Sequence, residues 1–186
     1  MLPLTPLWLP IVLSAVVVFL ASWVVWTLLP IHRSDWSAVT DERALRDAFY
    51  WQQLAPGQYH LPHAGGVEAL KNPEYVRKLE EGPHAFITLL PPGKPAMGRN
   101  MALYFLFDLA VSLLVAYVAS LALPAGANHL QVFRVTGTVA VLGYAAGHIP
   151  NAIWFGKPWS ATWKEVFDGV VYGLLTAGIF GWLWPR

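Results

Sequence analysis

The sequence predicts an α-helical integral membrane protein with four transmembrane helices and a small cytoplasmic α/β insertion between spans 1 and 2. Three observations carry that reading. Apolar segments at 101–123, 130–154 and 166–184 follow one another with only short polar breaks, and a further one occupies 7–29. Each meets or nearly meets the ~20 apolar residues that a ~30 Å hydrocarbon core requires at a rise of ~1.5 Å per residue. Hydrophobic residues make up 56% of the chain and charged residues only 12%, a composition that in blocks of this kind belongs to a membrane protein. Finally, ten of the twelve Lys/Arg fall on one side of the four spans.

The chain opens on Met1-Leu2-Pro3-Leu4-Thr5-Pro6 without a positive n-region, and its first apolar run exceeds the ~7–15 residues of a signal-peptide core, so it reads as an uncleaved span. Pro10 sits near its first turn, where a missing N–H does least damage, and Trp23 and Trp26 suit the interface at the far end. Residues 31–98 are the one extended polar region, with basic and acidic side chains mixed. Asp41 with Glu42 predicts a helix start for 40–53, and Asn72-Pro73 predicts another for 73–81, stopped by Gly82. Strands are expected near 58–61 and 84–90. A region this short has a small core, and it is expected to rest on the membrane surface.

The later spans carry their own punctuation. Pro124 to His129 makes a tight reversal, Pro150 predicts a kink in the third span, and the segment 155–160 leads into the fourth. In that last span Gly169, Gly173 and Ala177 recur every four residues, a spacing that lets another helix approach closely.

Orientation follows from charge. Arg33, Lys94, Arg99, Lys157 and Lys164 flank helix ends on the side shared by 31–98 and 155–165, whereas only Arg134 and Arg186 lie opposite. The positive-inside rule therefore places both termini outside a bacterial-type inner (plasma) membrane and residues 31–98 in the cytoplasm. Lys94, Arg99, Lys157 and Lys164 also stand where anionic lipid headgroups would meet them, although the simpler account is that they are topology determinants.

Few residues point to chemistry. Asp108 and His148 are each nine residues from a basic helix end, hence at matching depth; Asn151 is one turn from His148, and Asp168 is shallower. Polar groups inside a span turn inward toward partners, so Asp108, His148, Asn151 and Asp168 form an expected intramembrane cluster, with Asp108 and His148 in contact. Its functional reading is a proton relay, a polar substrate site or part of a metal site, and its structural reading is hydrogen bonding that sets the bundle's register. His60, His63 and His84 are weak metal candidates, because on a regular strand positions 60 and 63 face opposite ways. The expectation is no metal and no cofactor. Absence of cysteine excludes disulfides, thiolate metal sites and cysteine nucleophiles, and a net charge of +1 argues against nucleic acid. No phosphate loop, dinucleotide fingerprint or nucleophile elbow is present.

These features favour an accessory or assembly subunit of a larger membrane complex, or a homo-oligomer, whose partners are the lipid bilayer and other membrane subunits or itself. Two alternatives stand beside it: an oligomeric transporter or proton conductor using Asp108 and His148, and a membrane-embedded enzyme acting on lipid or quinone at the inner interface. The orientation is testable directly, since the chain has no cysteine of its own. A cysteine placed at Ser37 or Glu68 is expected to resist a membrane-impermeant thiol reagent in intact cells, and labelling at either position would reverse the assignment.

Overall fold

The computed structural model describes residues 2–186, and the chain divides into two compact units, one built from the N-terminal segment to Trp36 together with Ala96–Arg186, the other from Ser37–Pro95. In the first unit, helices α1 (Trp8–Trp23), α4 (Met97–Ala122), α5 (His129–Ala145), α6 (Ile149–Phe155) and α7 (Trp159–Leu183) make up four stretches long and apolar enough to cross a membrane. These are Thr5–Leu28, Met97–Ala122, His129–Phe155 and Trp159–Leu183. The second unit holds α2 (Glu42–Trp51), β1 (Gly57–Leu61), α3 (Pro73–Glu81) and β2 (Ala85–Leu89).

Local chemistry accounts for the boundaries. α1 is entered through a 3-10 turn with Pro6 and leaves through a π-helical turn, Val24–Leu28, before a second 3-10 turn at Pro30–Asp35. The third stretch breaks over Ala146–His148, because Pro150 has no N–H to offer the Ala146 carbonyl and its ring crowds that group. α5 starts on a capping box in which the Asn128 side chain accepts from the Gln131 N–H at 3.0 Å. α6 ends at Gly156, whose φ of 67° only glycine adopts freely, and Pro158 then precedes α7. The fourth helix begins seven residues earlier than the expected 166, and so includes Lys164 and Glu165. An apolar window slides past these two polar residues, whereas a helix accommodates them when both have partners.

In the bundle α1 packs on α4 and α7, α4 on α5, and α5 on α7, closing a four-membered ring in which the α5–α7 contact is the most extensive. The pattern of polarity is inverted relative to a soluble protein. Ser14, Asp108, Ser112, Thr136 and Thr176 are fully buried, while Trp8, Leu20, Leu114, Leu142 and Trp182 are exposed on the outside. Such an exterior is at home against lipid, and the two threonines inside are satisfied within their own helices: Thr136 donates to the Val132 carbonyl at 2.7 Å and Thr176 to that of Tyr172 at 2.9 Å.

Glycine makes the α5–α7 contact possible. A Cβ at Gly169 would stand 2.8 Å from Ala145, and one at Gly173 would stand 2.5 Å from Val141 Cγ2 and 2.9 Å from its backbone nitrogen. Ala177 is fully buried one turn further on, facing Gly137. The small-residue face of α7 is thus covered by the chain's own α5.

In the second unit β1 and β2 pair antiparallel, with Gly57 opposite Leu89 and Leu61 opposite Ala85. Its helices start on side-chain caps, Asp41 accepting from the Ala44 N–H and Asn72 from that of Glu74.

Gly173→Leu is expected to destabilise the bundle by at least ~1–3 kcal/mol through overpacking against Val141. Gly178→Leu, where an added Cβ meets nothing within 4 Å, serves as the comparison. Thermal melts in detergent should separate the two variants, and equal melting would mean that α5 and α7 are free to move apart.

Candidate functional site

A cavity of about 850 Å³ opens among α1, α4, the α5–α6 break and α7, at the end of the bundle where α1 stops and α4 and α7 begin. Its wall is largely aromatic, with Phe19, Trp23 and Trp26 from α1 and the turn after it, Tyr104 and Phe107 from α4, and Tyr172 from α7. Asn100, His148, Asn151, Glu165 and Asp168 supply the polar part. Gly143, Gly147 and Gly169 also line it, and at Gly147 a Cβ would meet nothing within 4 Å.

Two ion networks stand at this end. In the first, His32 is 6% exposed and bridges two carboxylates, with Nε2 2.8 Å from Asp168 Oδ2 and Nδ1 2.7 Å from Asp35 Oδ2. Ionised carboxylates only accept, so with both ionised the imidazole donates from both nitrogens and carries a positive charge. Its ring stacks on the Trp26 indole, centroids 3.9 Å apart and planes 3° apart. Lys164 completes the set by donating to Asp35, to Ser34 Oγ at 2.8 Å and to the Ile31 carbonyl at 2.9 Å. Carboxylates and basic side chains alternate along the network, in the order Asp168, His32, Asp35, Lys164. Loss of water pushes the Asp35 carboxyl up, but the Lys164 and His32 bonds outweigh it and hold the group below the ordinary carboxylate range.

The second network lies between α7 and the α5–α6 break. His148 Nδ1 is 3.0 Å from Glu165 Oε2, and Lys157 donates to both Glu165 oxygens. Lys157 reaches them because Gly156 turns the chain at the end of α6, and the Lys157 N–H then returns to the Asn151 carbonyl at 3.3 Å.

The expected intramembrane cluster is thereby redistributed. His148 meets Glu165 and not Asp108, since the break before Pro150 turns it toward the start of α7. Asp108 is fully buried and neither of its oxygens has a hydrogen-bond partner among the described residues; the hydroxyls of Ser14, Ser112, Tyr144 and Tyr172 are likewise buried without one. Asp168 belongs to the His32 network, while Asn151 is exposed on the cavity wall with only a 3.5 Å approach to the Gly147 carbonyl. Lys157 and Lys164 are engaged by carboxylates within the protein, whereas Lys94 and Arg99 are exposed. His60 and His84 meet, Nε2 to Nε2, at 2.8 Å; His63 stays apart from them. Among the described residues no group of three or more His, Cys, Asp or Glu side chains is placed to hold a metal.

Sequence reasoning passed over His32, Asp35 and Glu165. His32 and Asp35 carried a faint signal in their three-residue spacing within a turn, but the 136-residue separation from Asp168 left no local trace.

His32→Ala is expected to cost ~3–5 kcal/mol, because it strands Asp168 in a buried site, and denaturant melts in detergent measure the loss. The pH dependence has a definite sign. Asp35 contributes stability that is present above the ordinary carboxyl value and disappears as pH falls through its lowered folded value. Lys164→Met removes the stronger of the two bonds that lower it, so acid destabilisation should begin at a higher pH than in the parent protein. Identical acid profiles would show that Lys164 does not hold Asp35. No family model matches the chain, and no curated protein or solved structure matches it.

Proposed function

We propose that this chain is an inner-membrane protein that binds a lipid- or quinone-class amphiphile in the aromatic cavity, with both termini outside and residues 31–98 in the cytoplasm. The cavity carries the reading. Its ~850 Å³ falls within the ~300–1,000 Å³ typical of small-molecule sites, and its aromatic wall with a few polar groups is the lining such sites use. Position supports it too, because the cavity opens at the end marked by Trp23, Trp26 and the basic helix flanks, where an interface is expected.

Charge narrows the ligand. Glu165 and Asp168 are the acidic side chains of the lining, and each already has a basic side chain against it, Lys157 for one and His32 for the other. A neutral head that hydrogen-bonds with Asn100, Asn151 or His148 fits, with its chain against Phe19, Phe107 and Met101. His148, at the wall beside Glu165, is the group positioned to exchange a proton with a bound head. Support for the other readings is weaker. An assembly role drew on the small-residue face of α7, which α5 covers, and a conduction path drew on an Asp108–His148 pair that is not made.

Protein purified in mild detergent should carry a co-purifying amphiphile, identified by mass spectrometry of an organic extract. Gly147→Leu takes up cavity space at a position where a Cβ meets nothing within 4 Å, so it should lower the bound amount several-fold without lowering the melting temperature. Equal ligand content in the variant, or none in the parent protein, would overturn the assignment.

A further inference from the structure

We propose that His60 and His84 form a binding site for a late first-row divalent transition metal ion, which clips β1 to β2 and stabilises the Ser37–Pro95 unit. The need for a clip is visible in the unit itself. Within Ser37–Pro95 the only buried residue is Tyr75. A single core rarely suffices below ~70–80 residues, and a two-stranded sheet is marginal by itself. Small domains of this kind are held by disulfides, by a structural metal or by association. The chain has no cysteine, so the first device is closed to it.

The geometry supplies the second. β1 and β2 pair with His60 opposite Phe86, and His84 stands just before β2 begins. Both imidazoles turn the same nitrogen inward, Nε2 to Nε2 at 2.8 Å. Phe86 stacks on His60, centroids 4.4 Å apart and planes 4° apart, which fixes the plane of that ring. Metal–nitrogen bonds of about 2.0–2.1 Å place two cis nitrogens about 2.9 Å apart at a right angle and about 3.3 Å apart at a tetrahedral angle. The observed separation is close to the first, but the ring centroids stand 5.0 Å apart and the two nitrogens point at one another, so both rings turn to aim their lone pairs at one ion. Without a metal, one ring donates to the other across an exposed contact, which contributes only ~0.5–1.5 kcal/mol net.

Two imidazoles select the metal class. They suit Cu²⁺, Ni²⁺ and Zn²⁺, whereas Mg²⁺ and Ca²⁺ require oxygen. His63 lies beyond Pro62 and does not join the pair, so water fills the remaining positions.

The test uses the full chain in detergent with any histidine tag removed. Titration with Cu²⁺ should give one equivalent bound, with an electron paramagnetic resonance spectrum showing two coordinated nitrogens. Saturating Zn²⁺ should slow proteolysis within residues 37–95 by the factor 1 + [Zn²⁺]/Kd, about tenfold at ten times Kd, while Mg²⁺ leaves it unchanged. His60→Gln and His84→Gln should each weaken binding at least ~10-fold and cut the protection from about tenfold to about twofold or less, with His63→Gln equal to the parent protein. The proposal fails if the parent spectrum shows fewer than two nitrogens, a reading that does not depend on how the variants fold. Protection by Zn²⁺ that stays undiminished in His84→Gln overturns it as well.

Discussion

The bond between His32 and Asp168 holds the helical unit in its observed form. It joins the turn that follows α1 to the third turn of α7, 136 residues away, beside the α1–α7 contact that closes the ring of α1, α4, α5 and α7. Burying carboxylates is costly, and here each one meets a basic side chain that hydrogen-bonds to it. Trp26 lies flat on the bridged imidazole and also forms part of the cavity wall. The same interaction therefore ties the turn after α1 to α7 and shapes the space inside the bundle.

That space also depends on what is missing. A hydrophobic drive between helices is weak where the surroundings are as apolar as the helices, so close packing and small residues decide which faces meet. α5 and α7 approach through Gly169 and Gly173 until their backbones touch, which leaves no room for a side chain at either position. Nearer the open end, Gly143 and Gly147 face the cavity from the third stretch while Trp23, Trp26 and Tyr104 reach in from the opposite helices. The break before Pro150 turns His148 toward Glu165 at the same level. Tight packing in the middle of the bundle and an aromatic opening at one end thus come from one distribution of small and large residues.

The Ser37–Pro95 unit obeys a different constraint. Its elements are well signalled locally, with side-chain caps on both helices and a regular antiparallel register, yet it encloses almost no apolar core. Burial therefore accounts for little of the order in this unit. The convergence of His60 and His84 is an exposed contact, and it does not draw on burial.

Much of the architecture was legible in the amino-acid order. Four apolar stretches, the strand pair, the capped helix starts and the kink near Pro150 are local properties, set by hydropathy, by the missing proline N–H and by cap chemistry within a few residues. The stripe of Gly169, Gly173 and Ala177 announced a close approach without naming the helix that makes it. The beginning of α7 was obscured because Lys164 and Glu165 read as loop until their partners Asp35, Lys157 and His148 are known. Depth along a helix suggested that Asp108 and His148 would meet, but depth says nothing about azimuth, and the 3-10 turn rotates His148 away. The His32–Asp168 bond, the cavity and the His60–His84 contact belong to the tertiary structure alone, since the two contacts join groups 136 and 24 residues apart and the cavity gathers residues from all four spans, and no local periodicity records such distances.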